Sequence, residues 1–377
     1  FHQLGYFKGI PLTDDMFMQD SLNDFISDGR KTWRLVRNRI ADVFDAENPK
    51  LRDNATHRDV IIFDIKDVEM LLPINVGDYT DFYSSKEHAT NVGIMLRDKE
   101  NALMPNWLHV PVGYHGRASS IIVSGTNIRR PYGQTLPEGA ETPVFGPSKR
   151  VDMELETAFI TTDANNLGEP IPVNEANEYI FGMVLFNDWS ARDIQKWEYL
   201  PLGPFMGKNF ASTMSPWIIT LDALEPFRCA APEKEIQLLP YLQQKRKDTS
   251  IDIHLKAFLT TENGEENLLT ETNFKNMYWS MSQQLAHHTV NGCNVRSGDL
   301  MGSGTISGTD KGSFGSMLEL TWGGKEPLTL KDGSTRTFFN DGDKITITGS
   351  CTKDTVKIGF GKCEGKLLPP VKYKFPV

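Results

Sequence analysis

Val151-Asp152-Met153-Glu154-Leu155-Glu156-Thr157-Ala158-Phe159-Ile160 sets carboxylates into an otherwise apolar run. Along an extended strand alternate side chains share a face, so Glu154 and Glu156 project together while Met153 and Leu155 pack on the other side. Two carboxylates about 4 Å apart repel by roughly 4 kcal/mol at an effective dielectric of 20, which demands a cation, a proton or separation into water. For an isolated pair at this spacing, solvated acids on an exposed strand face are the ordinary reading. Asp188 shifts the balance, because it follows the apolar run Tyr179 to Phe186 and precedes Trp189. An unpaired charge in such surroundings is too costly to keep. With Asp81 the set becomes an all-oxygen cage suited to calcium or magnesium rather than zinc.

The same texture extends along most of the chain. Short apolar runs at Trp107 to Val112, Ile121 to Val123, Ile180 to Phe186, Trp217 to Leu221, Ile251 to Leu259, Met317 to Trp322 and Lys344 to Thr348 are separated by Gly, Pro, Asn and Asp. They predict a mainly β (α+β) architecture. One helix is expected within it, capped by Asn273, with Phe274, Met277, Tyr278, Met281 and Leu285 on one face and Gly292 past its end. Ahead of the β-rich region, Trp33, Val36, Ile40, Val43 and Phe44 recur at helical spacing between Ser21 and Phe44, and Asn48-Pro49 ends that helix. Loop signals near Leu72-Pro73 divide the chain into residues 1–73 and 74–377.

A chain of 377 residues and 42.5 kDa exceeds the usual single domain, so one small and one large domain are expected. The 49 acidic against 40 basic residues, with a pI near 5.5 and no polybasic run, disfavour nucleic acid as a partner. No apolar run approaches the ~20 residues of a membrane span. Cys229, Cys293, Cys351 and Cys363 are scattered without paired spacing, which argues against a structural zinc or a disulfide framework and fits a reducing, cytosolic compartment. The start FHQLGYFKGIPL carries neither a signal-peptide pattern nor an initiator methionine, and reads as a trimmed chain.

Asp78-Tyr79-Thr80-Asp81-Phe82-Tyr83-Ser84-Ser85-Lys86-Glu87-His88 gathers acid, phenol and imidazole in a segment that reads as a loop. It offers a metal ligand, a substrate contact and a base. His88 is one of eight histidines and persuades only with an orienting partner; Glu319, an acid inside the apolar stretch Ser313 to Leu320, is the candidate. His287-His288 is a rival pair, read as structural because a cationic side chain near a helix C-terminus suits the dipole. Gly302-Ser303-Gly304-Thr305-Ile306-Ser307-Gly308 lacks the spacing and lysine of a nucleotide loop, yet its amides and the Thr305 hydroxyl suit a carboxylate. Asn187 to Gln195 mixes metal-seeking, cationic and amide groups, with a capped turn and surface ion pair as the plainer reading.

The segments DYTDFYSSKEHATNVG, PNWLHVPVGYHGRASSIIVSGT, IRRPYGQ, DMELE, FNDWSARDIQKWEYLPLGPFMGKNF, SGTISG and SFGSMLEL, in this order from about Asp78 onward, resemble the fumarylacetoacetase (fumarylacetoacetate hydrolase) family. The resemblance implies a small SH3-like N-terminal barrel, incomplete here, followed by a large mixed β-roll, and a homodimer. It implies that Asp81, Glu154, Glu156 and Asp188 bind calcium and that His88, oriented by Glu319, accepts a proton. Tyr83, Arg97, Gln195, Tyr199 and Thr305 would contact substrate, Tyr114 would line the pocket, and Arg192, Gln195 and Lys208 would face the oxyanion. A magnesium site would use Asp188, Lys208 through its carbonyl, and Ser212, where the family carries threonine. The implied reaction is hydrolysis of the carbon–carbon bond of fumarylacetoacetate to fumarate and acetoacetate, in tyrosine and phenylalanine breakdown. Two rivals remain: a hydratase, isomerase or decarboxylase of acylpyruvate-type substrates from the wider superfamily, and a non-catalytic, calcium-stapled binding module.

Overall fold

The computed structural model describes residues 1–374. Its first 78 residues contain no strand. They form turns and the helices α1 (Asn23–Ser27), α2 (Gly29–Val43), α3 (Pro49–Arg52) and α4 (Ala55–Ile61). The helix expected from Ser21 to Phe44 divides between Asp28 and Gly29, where the glycine takes a positive φ of 80° that other residues avoid. The SH3-like barrel expected over 1–73 is not built by these residues. The cause lies in their period: apolar residues of α2 recur every three to four positions, which packs Trp33 and Val36 inward as a helix stripe, whereas a barrel strand needs alternation. Trp33 is fixed further by its indole N–H, which donates to Phe25 O at 3.0 Å.

Beside four two-stranded ladders among the described residues, two mixed sheets dominate the rest. Their strands in chain order are β1 (Tyr79–Phe82), β2 (Gly113–Gly116), β3 (Ile121–Val123), β4 (Ile128–Arg129), β5 (Leu155–Thr161), β6 (Ile180–Asp188), β7 (Ser212–Met214), β8 (Ile219–Thr220), β9 (His254–Thr260), β10 (Glu266–Asn273), β11 (Leu300–Gly302), β12 (Lys344–Lys353) and β13 (Val356–Leu368). The larger sheet runs β2-β1-β11-β5-β6-β7-β3, with β8 also on β6, and the smaller runs β10-β9-β12-β13-β4. Pairing is antiparallel except β1 with β11, β7 with β3, and β13 with β4.

Strand β6 explains its own composition, since all nine residues are buried. Met183 and Leu185 join Leu255, Ala257, Ile345 and Ile347 in the core between the sheets. Val184 and Phe186 face the opposite way, in a second core with Tyr79, Met214, Ile26 and Trp33. A strand covered on both faces has no reason to alternate. The sheets approach so closely that a Cβ added at Gly349 of β12 would stand 2.8 Å from Leu185. Truncating Leu185 to alanine would cost about 2–5 kcal/mol through lost burial and the cavity left behind.

Two local expectations are corrected here. The stretch 78–88 is not a loop: Asp81 lies in β1, and His88 lies in the first turn of α5 (Lys86–Leu96), whose N-cap Ser85 accepts from His88 N. The helix expected from Asn273 begins later. Asn273 ends β10 and caps only a single 3₁₀ turn, Phe274–Asn276, whereas the helix proper spans Met281–Thr289 behind a capping box of Ser280 and Gln283. Three further helices complete the framework of the site: α6 (Arg192–Glu198), α7 (Met281–Thr289) and α8 (Met317–Leu320).

Candidate active site

Neighbouring strands of the larger sheet bring the four acids together. Asp81 on β1 sits opposite Gly302 on β11, and Gly302 pairs with Ala158 of β5, the strand that carries Glu156. Glu154 enters just before β5, bridged to Ser316, and Asp188 ends β6. Each offers one carboxylate oxygen within 4.8 Å of all the others, and all four residues are buried. Gly302 is required there, because a Cβ would come within 2.8 Å of Asp81 Oδ1 and 3.2 Å of Glu156 Oε2.

The cage is only partly neutralised from within. Lys208 Nζ donates to Glu154 Oε2 at 2.5 Å and to Asp188 Oδ2 at 2.6 Å. Arg192 Nη1 lies 2.7 Å from Glu154 Oε1. Ser212 Oγ and Tyr114 Oη donate to Asp188 at 2.8 and 3.2 Å, and Gly304 N donates to Glu156 Oε2 at 3.1 Å. Asp81 Oδ1 and Glu156 Oε1 are buried with no partner. Burial, reinforced by the neighbouring carboxylates, pushes both acids well above the usual carboxylate range and also raises Asp188. Glu154 moves the other way: burial alone would lift it, but Lys208 and Arg192 hold it below its ordinary value. Two bare buried oxygens amid crowded acids are what a hard cation would relieve, and an all-carboxylate set fits such an ion.

Beside the cage lies a buried histidine–carboxylate pair. His88 Nδ1 is 2.7 Å from Glu319 Oε2, and both side chains are buried. Glu319 also accepts from Asn91 Nδ2 at 3.0 Å, Ser307 Oγ at 3.0 Å and Ser316 Oγ at 2.8 Å. Burial would raise the Glu319 pKa, but His88 and these donors prevail and keep it low. An ionised carboxylate only accepts, so His88 Nδ1–H is the donor of this bond. Tyr83 stands edge-on to the imidazole, centroids 5.3 Å apart at 84°. Burial raises its phenol pKa.

Of the remaining expected residues, Arg192 opens α6 buried rather than in a surface ion pair, with Nε on Asp152 Oδ2 at 2.8 Å and Nη1 also on Gln195 Oε1 at 3.2 Å. Tyr199 caps the end of α6. Thr305 Oγ1 and Arg192 Nη2 are buried without partners, two donors suited to a bound molecule. Arg97 is tied to backbone carbonyls. It ends α5, and its Nε and Nη2 donate to Asn101 O and Ala102 O at 2.9 and 2.6 Å. His287 and His288 bond Tyr241 Oη and Thr80 Oγ1, each at 3.0 Å. Burial lowers both pKa values, so they favour the neutral form rather than the dipole-stabilised cation expected.

Asp152, Asn91, Ser307 and Ser316 escaped the sequence reading. Ser316 was accessible to it, since Ser-x-x-Glu at a helix start is a capping signature, and Ser316 Oγ does accept from Glu319 N. Asn91 and Ser307 carry no such local mark.

A buried carboxylate cage beside a His–Glu pair, set on a mixed sheet, defines a class of metal-assisted hydrolytic site. Residues 78–367 match the family model described as Fumarylacetoacetate (FAA) hydrolase C-terminal, and residues 1–73 match Fumarylacetoacetase N-terminal. The chain is 54% identical to the fumarylacetoacetase of Homo sapiens over 94% of its length and 85% of that protein. It is 51% identical to the enzyme of Arabidopsis thaliana over 97% and 87%, and 50% identical to that of Dictyostelium discoideum over 98% and 87%. In fold it is similar to the fumarylacetoacetate hydrolase of Exiguobacterium antarcticum, with a TM-score of 0.52, 18% identity, and 93% and 89% of the two chains covered. The chain belongs to the fumarylacetoacetase family.

Proposed function

We propose that this protein hydrolyses the carbon–carbon bond of fumarylacetoacetate to fumarate and acetoacetate. The single observation that carries the chemistry is the His88–Glu319 pair, 2.7 Å apart and buried beside four clustered carboxylates. His88 Nε2 takes a proton from water as the water oxygen bonds to the ketone carbon, a contribution of roughly 10² to 10⁴ in rate. Glu319 stabilises the imidazolium as it forms. Arg192, Gln195 and Lys208 face the developing alkoxide. The bond to the acetoacetyl carbon then breaks, its electron pair leaves as an enolate, and the proton held by His88 returns to that carbon. Asp81, Glu154, Glu156 and Asp188 would hold calcium, which would supply Lewis acidity at the substrate carbonyls.

The finer assignments belong to the same reading. Tyr83, Arg97, Tyr114, Tyr199 and Thr305 contact substrate, and the unpartnered Thr305 hydroxyl supports this. Asp188, the Lys208 carbonyl and Ser212 would hold magnesium, and the Ser212 hydroxyl already bonds Asp188. Every residue named lies beyond Pro73, which supports 74–377 as the catalytic unit. A homodimer is favoured by Trp197, Leu200, Leu202, Phe205 and Met206, large apolar residues each exposed within the one segment 197–206 that links Arg192 to Lys208. No helix among the described residues is long and apolar enough to cross a membrane. All four cysteines are free, in keeping with a cytosolic setting. Incubating the purified protein with fumarylacetoacetate and following loss of its diketone absorbance tests the activity: retained absorbance with calcium present would reject it, and conversion without cleavage would favour an isomerase or hydratase.

A further inference from the structure

Asp152 begins the same acidic run as Glu154 and Glu156 but points elsewhere. It is fully buried, and it pairs with Ser190 in a two-stranded ladder that leads directly into Arg192. Its Oδ2 accepts from Arg192 Nε at 2.8 Å and from Leu318 N at 3.0 Å, while Oδ1 accepts from Met317 N at 2.8 Å. One carboxylate therefore holds two separate parts of the site. On one side is the guanidinium that spans Glu154 and Gln195 and keeps Nη2 unpartnered. On the other are the first two amides of α8, the short helix that carries Glu319.

We propose that Asp152 is a positioning residue for hydrolysis: it fixes Arg192 against the reacting oxygen and the Glu319 turn against His88 at once, so that oxyanion donor and base are registered by a single side chain. The amides of a helix start point outward and need an acceptor, and a guanidinium keeps its fork planar, so both partners transmit the position of the carboxylate. No oxygen of Asp152 belongs to the carboxylate cage. Its role is thereby separable from cation binding. This inference rests on the proposed hydrolysis only for its kinetic readout.

Asp152→Asn keeps the volume but turns an amide N–H toward Arg192 Nε–H or the α8 amides. In the full chain, kcat for fumarylacetoacetate should fall roughly 10²- to 10³-fold, the loss typical of a misplaced oxyanion donor, with KM and the calorimetric calcium Kd within about threefold. A kcat within threefold of the parent, or a loss confined to KM or calcium affinity, overturns the proposal. The companion variant Arg192→Lys removes the Nε donor while keeping charge, and needs no turnover to be informative. Hydrogen exchange at the Met317 and Leu318 amides should accelerate about tenfold, because they share their acceptor with Arg192. Unchanged exchange there refutes the coupling even if Asp152→Asn fails to fold. A parent protein that leaves fumarylacetoacetate intact would sink the proposed function, whereas the exchange result would still decide the link.

Discussion

Replacing Glu319 by glutamine removes one charge and almost no volume from the most densely hydrogen-bonded carboxylate of the site. At 2.7 Å from His88 Nδ1, a full negative charge stabilises an imidazolium by about 6 kcal/mol at an effective dielectric of 20. That corresponds to roughly four powers of ten in the rate of any step that forms the imidazolium. The substitution weighs on the step that forms the imidazolium rather than on substrate binding. Kcat should therefore fall about 10³- to 10⁴-fold with KM within about threefold, followed by diketone absorbance at saturating and limiting substrate. A second consequence is structural. His88, Asn91, Ser307 and Ser316 all direct donors at Glu319, so the new amide must oppose at least one of them. A stranded buried donor costs about 1–3 kcal/mol, and the urea midpoint should drop accordingly. Turnover within tenfold of the parent, or an effect wholly in KM, would refute the role of Glu319 as the partner of an imidazolium.

The carboxylate cage makes its own demand: Asp81→Asn and Glu156→Gln should each weaken calcium binding in calorimetry at least tenfold, and the double variant should lose less than the product because the ligands act as a unit. For the parent, calcium at 100 times its Kd should add about 2.7 kcal/mol of stability that a chelator removes; an unmoved unfolding midpoint sinks the cage as a cation site. Lys234 predicts a pH dependence, since burial lowers its pKa from 10.5 to about 7 while its Nζ donates to Tyr278 O and lies 4.0 and 4.9 Å from the Tyr278 and Trp279 ring centroids. Between pH 7 and 10.5 the unfolded chain holds this proton and the folded one releases it, so stability rises with pH there. The full shift is worth at most about 5 kcal/mol, opposed by ~0.5–2 kcal/mol of ring attraction for the ammonium; parallel stability curves for parent and Lys234→Met would contradict it. Finally, Arg97→Lys should raise KM for fumarylacetoacetate and spare an analogue lacking the terminal carboxylate, because the fork is lost and the charge kept. Equal losses with both substrates would make the two carbonyl bonds of Arg97, which close the turn 97–102, its whole function.

What the sequence disclosed and what it withheld follow from the range of each signal. Glu154 and Glu156 were legible because strand alternation is a two-residue rule, and β6 because Ile180 to Phe186, buried without a break, leave an uninterrupted run with no polar side chain. The partnership of His88 with Glu319 joins residues 231 apart; an acid inside an apolar stretch marked Glu319 as a candidate, but no spacing encodes that the two meet, and the resemblance of whole segments to a known family was what joined them. Periodicity misled at Asn273 for a definite reason. Phe274, Met277, Met281 and Leu285 are apolar at helical spacing because they enter one core, while Tyr278 and Trp279 between them enter another, against Trp107 and Leu242. A chain passing from one core to the other as a 3₁₀ turn and linker leaves the same apolar record as a helix. The local chemistry did hold the answer: Ser280 and Gln283 form the capping box that starts α7, and a cap names a boundary where a period names only a face. His287 and His288 teach the opposite lesson about local rules. Their place in the last turn of α7 favours a cation by up to about 1 kcal/mol at an exposed site, but the fold buries them and their pKa values fall. Desolvation is set by elements distant in sequence, such as the strand that brings Thr80 to His288, and where it applies it outweighs the dipole.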